Sequence, residues 1–434
     1  MKALLPAFVV LPLIAAILIA VSRDPLRYLL PAYIVSVPFG SKLSLGLPAP
    51  FDSLSTPLLI LLILTTAYQA ALGVRTRAPL SATLPTWVLF LGWAALSAQW
   101  SVSAQLTTTG VYNLMALVLL FGLLSVVRVD ALALRNAQAA IVFSGAAAGL
   151  YALAQLLLLG GLPVEGDAGA RFGADILGAN NTAAALLLPL AIALPRAVSA
   201  ERRSQRLLNL AAALLVGVAI VLSGSRGGLL ATLVVFVVIF LATPTGRRQL
   251  GWFMVVALGA LVIVLATNPG GVGSRQTGHA TSSGRSEIWW IAEKACESYC
   301  VAGSGWGTFP RVYQEIQPEV PQSRVLVRGT AYEAHNIWIE ALIQVGFPGL
   351  VLLGAGLVLT FRDIRRLPQR LRAPPLAAFL GTMTASMFLS NFEYKFFWLV
   401  LMYVVICRSA SFGASPVDTT RPTLQRVPQP MGAK

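Results

Sequence analysis

Residues 207–243 read LLNLAAALLVGVAIVLSGSRGGLLATLVVFVVIFLAT, and this stretch decides the class of the fold. Two apolar runs, 207–223 and 227–243, are separated only by the polar residues 224–226. Each run is close to the roughly 20 residues that an α-helix needs to cross the hydrocarbon core of a bilayer. The stretch therefore predicts a helical hairpin in a membrane, with Arg226 at the membrane edge.

The same apolar pattern recurs along the whole chain. Of its 434 residues, 56% are hydrophobic and 11% are charged, whereas about a quarter of the residues of a soluble domain are charged. The composition predicts an all-α polytopic membrane protein with about twelve transmembrane helices, and it excludes a soluble enzyme, a secreted disulfide scaffold and a disordered chain. An outer-membrane barrel is excluded because its strands would alternate in polarity. Apolar segments lie near 3–21, 28–40, 56–74, 84–99, 106–127, 137–159, 179–197, 207–223, 227–243, 251–267, 336–360, 376–391 and 396–410.

Arginines predict the orientation of these helices. They cluster in loops on alternate sides of the spans, which is the positive-inside pattern of cytoplasmic loops. The net charge of +15 therefore reports topology and does not indicate nucleic-acid binding. Segment 28–40 is short and carries two prolines, so it either dips into the membrane, leaving both termini cytoplasmic, or crosses it, placing the N-terminus outside. The clusters are Arg75/Arg77, Arg128/Arg135, Arg202/Arg203/Arg206, Arg247/Arg248 and Arg362/Arg365/Arg366/Arg370/Arg372.

The predicted topology divides the chain into four regions. Long connections are uncommon in compact proteins unless they are functional, and the long loop here mixes Trp, Tyr, Gly, Arg and Glu, unlike a flexible linker. The regions are N-terminal transmembrane helices at 1–267, a large extracytoplasmic (periplasmic) loop at 268–335, C-terminal transmembrane helices at 336–413, and a disordered cytoplasmic tail at 414–434.

Three cysteines give little functional information. Cys296 and Cys300 lie four residues apart in the extracytoplasmic loop, and this spacing allows either a disulfide or two buried thiols. Cys407 lies in the last apolar segment, where we expect a packed, inert thiol.

Two arginines are candidates for binding an anion. Arg226 follows Ser-Gly-Ser and precedes Gly227 and Gly228 at a predicted helix start, where backbone N–H groups favour anions. Its alternative is an arginine that extends its charge to the membrane interface. Arg285 and Glu287 precede a pair of tryptophans, and the alternative there is an interfacial helix with solvated charges.

A histidine and a third arginine complete the candidate site. His335, one of two histidines with His279, begins the span after the large loop; it could accept a proton near neutral pH or simply hydrogen-bond locally. Arg171 precedes Asn180 and Asn181, one of which we expect to cap the following helix.

Taken together, these residues indicate anion chemistry without a metal. The arginines and His335 converge on one predicted membrane face, and the planar guanidinium suits a diphosphate because it can bind two oxygens at once. Two histidines and scattered acids do not form a usual metal-ligand set. The sequence therefore predicts neither a metal nor a cofactor.

Four motifs in order resemble the O-antigen ligase and Wzy-type polymerase family. They cover about 165–360 together with an upstream Arg-Phe-Gly and Asn-Asn stretch. The motifs are SGSRGG at 223–228, GRSEIW at 284–289, GSGWGTF at 303–309 and AHNIWIEALIQVGFPGL at 334–350.

The resemblance implies a GT-C-type, metal-independent, inverting membrane glycosyltransferase of the inner membrane, with its active site on the periplasmic side. The donor would be a glycan on undecaprenyl diphosphate, and the acceptor a hydroxyl of lipid A-core or a similar lipid or glycan. By the same resemblance, Arg226 and Arg285 would hold the diphosphate and His335 would deprotonate the acceptor, while Arg171 and Asn336 would contact substrate.

Three other functions stay open. A polymerase would use the same residues with a second lipid-linked glycan as acceptor, and a protein O-oligosaccharyltransferase would use a protein. A glycan or lipid transporter is the alternative from a different class. Transporters place charges near the membrane midplane, often in two related halves, whereas the charged candidates here gather at one face and no repeat is visible.

Overall fold

The computed structural model describes residues 23–47, 52–159, 161–164, 170–243, 285–320 and 331–412, with short pieces at 247–248, 251–252, 254–255 and 259. The predicted span 3–21, most of the span 251–267 and the tail 414–434 lie outside these residues. The described part is α-helical and contains no β-strand, only three isolated β-bridges.

Fourteen α-helices are numbered here in chain order over the described residues. They are α1 (Pro25–Ser36), α2 (Ser55–Ala71), α3 (Thr83–Leu96), α4 (Ala104–Val126), α5 (Ala131–Leu157), α6 (Ala179–Ala185), α7 (Leu187–Ser199), α8 (Arg203–Leu222), α9 (Arg226–Ala242), α10 (Arg285–Tyr299), α11 (Phe309–Ile316), α12 (Ile337–Arg366), α13 (Gln369–Ser386) and α14 (Lys395–Ser411).

Several of these helices have the length and apolarity of membrane spans. The protein is an integral membrane protein with an all-α fold. In the described residues, five segments are long and apolar enough to cross a bilayer, and α2 and α9 are shorter apolar helices. The five segments are α4, α5, the consecutive helices α6 and α7, α8 and α12.

The predicted arginine loops meet at one end of the bundle. The backbone N–H of Ala78 donates to the carbonyl of Val126 at 2.7 Å, which joins the loop after α2 to the end of α4. Arg408, in the last turn of α14, donates to the carbonyl of Pro79 at 2.8 Å. The end of the bundle that carries these loops is called the basic end below.

Segment 28–40 runs from the basic end to the opposite end. Asp24, just before α1, pairs with Arg75 at the basic end, whereas Lys42, at the end of the 3₁₀ helix Val37–Leu43, pairs with Asp175. Helix α1 alone extends about 18 Å, and the 3₁₀ segment continues it with a kink at Gly40, so together they pass beyond the middle of a hydrocarbon core about 30 Å thick. The geometry therefore favours the crossing alternative over a shallow dip.

Two helix boundaries differ from the predicted spans for local reasons. Helix α5 begins at Ala131, before the predicted 137, because the Asp130 side chain caps it by accepting from the Ala133 N–H at 2.7 Å. Helix α13 begins at Gln369 and ends at Ser386, although 376–391 was expected. The apolar residues after Ser386 extend the hydropathy signal but form part of a loop.

The described parts of the large loop fold into a cap with its own core. Ile288 and Ile291 of α10 pack in one buried cluster with Phe309 and Tyr313 of α11, and Ile343 of α12 joins them. Cys296 and Cys300 form a disulfide at the end of α10, and Cys407 is a buried free thiol, as expected. The cap therefore packs on α12 and lies at the end of the bundle opposite the basic end.

This arrangement gives a direct test of orientation. We expect Glu319→Cys, at an exposed position of the cap, to react with a membrane-impermeant maleimide on intact cells, because the arginine loops should face the cytoplasm. Arg203→Cys, exposed at the basic end, should react only after lysis. The native disulfide and the buried Cys407 keep the background low. Labelling of Arg203→Cys, but not of Glu319→Cys, on intact cells would show that the protein has the opposite orientation in the membrane.

Candidate active site

The turn between α8 and α9 presents Arg226 as the first residue of α9. The Ser225 hydroxyl caps the helix by accepting from the Gly228 N–H at 3.1 Å, and the Ser225 N–H donates to the Ser223 hydroxyl at 3.2 Å. A Cβ on Gly228 would lie 2.7 Å from the Ala183 Cβ on α6, so only glycine allows this helix contact. Arg226 is exposed at the positive end of the helix dipole.

Arg171 hydrogen-bonds to the backbone of this turn. Its side chain is buried, with Nε donating to the Ser223 carbonyl at 2.8 Å and Nη2 donating to Asn180 Oδ1 at 2.7 Å. The predicted asparagine cap is wrong: Gly178 occupies the N-cap of α6 with a φ of 80° and no side-chain cap. Asn180 instead lies inside the first turn, where it accepts from Arg171.

Arg285 lies opposite Arg226 as the first described residue of α10. Its guanidinium lies over the ring of Phe388 at 5.7 Å from the centroid, and a Cβ on Gly227 would lie 3.2 Å from the same ring. Burial, and then the charge of Arg226, lowers the pKa of Arg285. Its Nε is buried and has no hydrogen-bond partner among the described residues. Two positive charges therefore meet beside Phe388.

His335 is held in an unusual backbone conformation. Its φ of 49° is the only positive value at a non-glycine position in the described residues, and such strain costs about 1–3 kcal/mol. The His335 N–H donates to the Ser390 hydroxyl at 3.0 Å. Trp289 Nε1 donates to the preceding carbonyl, that of Ala334, at 3.0 Å. These two contacts fix the peptide group between Ala334 and His335, and with it the backbone that carries the imidazole.

The imidazole of His335 is close enough to Arg285 to sense its charge. Burial, and then the charge of Arg285, lowers the pKa of His335 to about 4, so the ring is neutral at pH 7. Its Nδ1 atom is buried without a hydrogen-bond partner among the described residues. A neutral imidazole nitrogen can donate to or accept from a bound group.

Asn336 forms hydrogen bonds within the protein through both the oxygen and the nitrogen of its side-chain amide. Its Oδ1 caps α12 by accepting from the N–H groups of Trp338 and Ile339 at 2.9 and 3.1 Å, and its Nδ2 donates to the Met387 carbonyl at 3.2 Å. The side chain therefore orients the start of α12 and the loop after α13, and both flank His335.

A small cavity beside His335 is lined partly by residues that the sequence analysis did not single out. It has a volume of about 40 Å³, enough for one or more waters. The Ser390 hydroxyl, which holds His335, also hydrogen-bonds the Glu340 carboxylate. The lining includes the aromatic residues Trp306, Phe392 and Tyr394 and the polar residues Glu333, Glu340, Gln344, Ser390 and Glu393. Glu340 and Gln344 belong to the motif at 334–350 and Glu333 directly precedes it, whereas Ser390 and Glu393 carry no motif, so the sequence did not group these residues as one site.

The glycine motif at 303–309 connects the cap to this cavity. Gly305 has a φ of 107°, and a Cβ there would lie 2.1 Å from the Ser101 hydroxyl, so no other residue fits. The Gly307 N–H donates to Gln344 Oε1 at 3.0 Å, and Gln344 Nε2 donates to Glu340 Oε1 at 3.1 Å. The motif therefore packs closely on the neighbouring helices and orients the side chains of the cavity wall.

The structure thus brings Arg226, Arg285 and His335 together and places Arg171 and Asn336 behind them as supports. In the described part of the chain, no three His, Cys, Asp or Glu side chains are grouped so that they could hold a metal ion. His279 lies outside the described residues.

One family model matches part of the chain. The O-antigen ligase family model, Wzy_C, matches residues 211–354, a segment that includes Arg226, Arg285, His335 and Asn336 but not Arg171. No curated protein matches the chain. The family supports a membrane glycan ligase or polymerase kind of function. Residues 211–354 therefore match the O-antigen ligase family, which confirms the resemblance indicated by the motifs.

Proposed function

We propose that the protein is an inverting, metal-independent membrane glycosyltransferase with about twelve spans and a GT-C-type fold. It transfers a glycan from undecaprenyl diphosphate to a hydroxyl of lipid A-core or a similar acceptor, on the periplasmic side of the inner membrane. The family match and the apolar helices support the coarser statement, a membrane glycan ligase or polymerase.

One observation carries this proposal. Arg285 Nε and His335 Nδ1 are both buried and lack a hydrogen-bond partner among the described residues, although the two side chains are electrostatically coupled. Unpaired buried polar atoms are costly, so their proximity points to a missing partner. A diphosphate beside Arg285 and an acceptor hydroxyl beside His335 would supply both partners.

The proposed step is a direct displacement at the anomeric carbon of the donor sugar. The acceptor oxygen forms a bond to that carbon while the sugar–phosphate bond breaks, and the electron pair leaves with the lipid diphosphate. The proton of the acceptor hydroxyl moves to His335. Arg226 and Arg285 stabilise the charge that develops on the diphosphate, and attack from the opposite face inverts the configuration.

The supporting residues have an indirect role in this scheme. Arg171 holds the Ser223 carbonyl below Arg226, and Asn336 caps α12 beside His335. We therefore assign both to positioning, in place of the substrate contacts that the resemblance implied. The cavity lined by Glu333, Glu340 and Glu393 is only about 40 Å³, a size that suits water and not a sugar.

Reconstitution tests the reaction and its independence from metals. Purified protein with undecaprenyl diphosphate-linked glycan and a lipid A-core acceptor should form the glycosylated acceptor and release undecaprenyl diphosphate at an unchanged rate in excess EDTA. The arginines, not a metal, carry the phosphate charge in this scheme. Loss of turnover that Mg²⁺ or Mn²⁺ restores would contradict the metal-independent mechanism.

The same assay separates the alternatives. Elongation of a second lipid-linked glycan, with no transfer to lipid A-core, would identify a polymerase, and transfer to protein would identify a protein O-oligosaccharyltransferase. Movement of the donor across the bilayer of a proteoliposome without a new glycosidic bond would identify a transporter and overturn the proposal.

A further inference from the structure

A groove at the basic end, away from the candidate active site, has no assigned role. It lies between α5, α7 and α8 and has a volume of about 590 Å³. Its wall includes Phe143 of α5 and Leu208 of α8, whose side chains are 62% and 68% exposed. An apolar groove on the outer surface of a membrane bundle faces lipid.

The groove has a polar end and an apolar end. Arg196, Ser199, Gln205 and Asn209 line the part near the end of α7 and the start of α8. The apolar part is formed by Phe143 and Leu208 together with small side chains of α5 and α8. The polar part is close to the arginines of the loop between α7 and α8.

The depth of the groove matches one leaflet. Its deepest residue on α5, Ala146, lies about 22 Å along the helix from Ala131 at the basic end, and its deepest residue on α8, Ala212, lies about 14 Å from Arg203. Half of a bilayer, with its headgroup region, is about 20 Å thick. The groove therefore extends from headgroup level into the acyl-chain region.

Arg196 determines the charge of the occupant. Its side chain is half-buried in the groove wall, and the ionisable group near it is the phenol of Tyr403. The described residues that line the groove include no Asp or Glu, and Arg196 makes no ion pair to a described carboxylate. A guanidinium binds phosphate oxygens in a bidentate manner, and basic pockets between helices on the cytoplasmic side favour anionic lipid headgroups.

We propose that this groove binds one anionic phospholipid of the cytoplasmic leaflet. The headgroup phosphate binds to Arg196, with Ser199, Gln205 and Asn209 around it, and one acyl chain lies on Phe143 and Leu208. The inference is independent of the proposed enzymatic function.

Lipid titration of the purified full-length protein, followed by native mass spectrometry, tests the site. Dioleoylphosphatidylglycerol should bind to the wild type with one saturable site, and dioleoylphosphatidylcholine should not. Arg196→Gln should weaken binding at this site about tenfold or more. Arg203→Gln removes the same charge from an exposed position nearby and should leave the site intact.

Further outcomes decide between sources of the effect. Equal loss in both variants would show diffuse surface charge, and equal binding of both lipids would show an ordinary boundary lipid; either overturns the site. Displacement of the lipid by millimolar inorganic phosphate would identify a free-phosphate site instead. If Arg196→Gln does not fold, Gln205→Glu serves in its place, since it puts a negative charge at an exposed position of the polar end and should repel the headgroup.

Discussion

Replacing His335 by glutamine should lower the rate of glycan transfer about 10²- to 10⁴-fold, the usual effect of losing a general base. Glutamine keeps a hydrogen-bonding side chain of similar length but cannot accept the acceptor proton. The measurement is turnover by purified protein with saturating donor and acceptor. His279→Ala is the matched control, because it removes the other histidine from a Gly/Ser/Thr-rich stretch, and it should cost little.

The pH dependence of the wild type gives this assignment a sharper test. Because the pKa of His335 is lowered to about 4, the base is in its active neutral form above that pH and is lost only as the pH falls through about 4. The acid limb of kcat/KM, which reports the free enzyme, should therefore lie well below the ordinary histidine value of about 6.5.

Donor binding should shift this limb. The negative diphosphate offsets the charge of Arg285, which helps to depress the pKa of His335, so the acid limb of kcat should lie at a higher pH than that of kcat/KM. A His335→Gln enzyme that retains most of its activity, or an unchanged low-pH limb in that variant, would reduce His335 to an orienting role.

The sequence predicted the helices of this protein well because membrane burial leaves a strong signal. Apolar runs and arginine loops predicted segments 207–223 and 227–243, and α8 and α9 lie close to them. The errors arise where side chains decide locally. Asp130 extended α5 by capping it, and hydropathy could not distinguish the apolar loop after Ser386 from a membrane helix.

The sequence was less informative about the roles of individual site residues. Motifs grouped Arg226, Arg285 and His335, and these residues do meet in the structure. The motifs could not show that Arg171 donates to the Ser223 carbonyl or that Asn336 caps α12. Tertiary packing determines which partners these two side chains have.

The cavity beside His335 also shows how little the sequence reveals about contacts between distant segments. Ser390 holds the His335 backbone from a loop that is 55 residues away in sequence, and Glu393 of the same loop joins Glu333 and Glu340 only through packing. The strain at His335 depends on the same long-range contacts. A residue pattern cannot reveal such a site unless its members lie near one another in the chain.

Replacing Arg226 or Arg285 by lysine should lower kcat about 10²- to 10³-fold, the usual cost of losing one preorganised donor to a developing anion. Lysine keeps the positive charge but loses the planar fork that binds two phosphate oxygens. Because the charge on the diphosphate grows as the sugar–phosphate bond breaks, kcat should fall more than KM rises. Both quantities come from initial rates over a range of donor concentrations.

The double variant tests whether the two arginines act on one group. Arg285 lies over the ring of Phe388, Gly227 next to Arg226 packs on the same ring, and the two guanidinium groups repel each other electrostatically, so both should bind the same diphosphate. The combined loss should then be smaller than the product of the single losses, since neighbouring residues that share a ligand are not additive. Arg311→Lys is the control, because Arg311 lies in the same cap but forms an exposed ion pair with Glu315 at 2.8 Å. Full activity of both single lysine variants, or an equal loss in Arg311→Lys, would leave the two arginines as interface anchors without a role on the diphosphate.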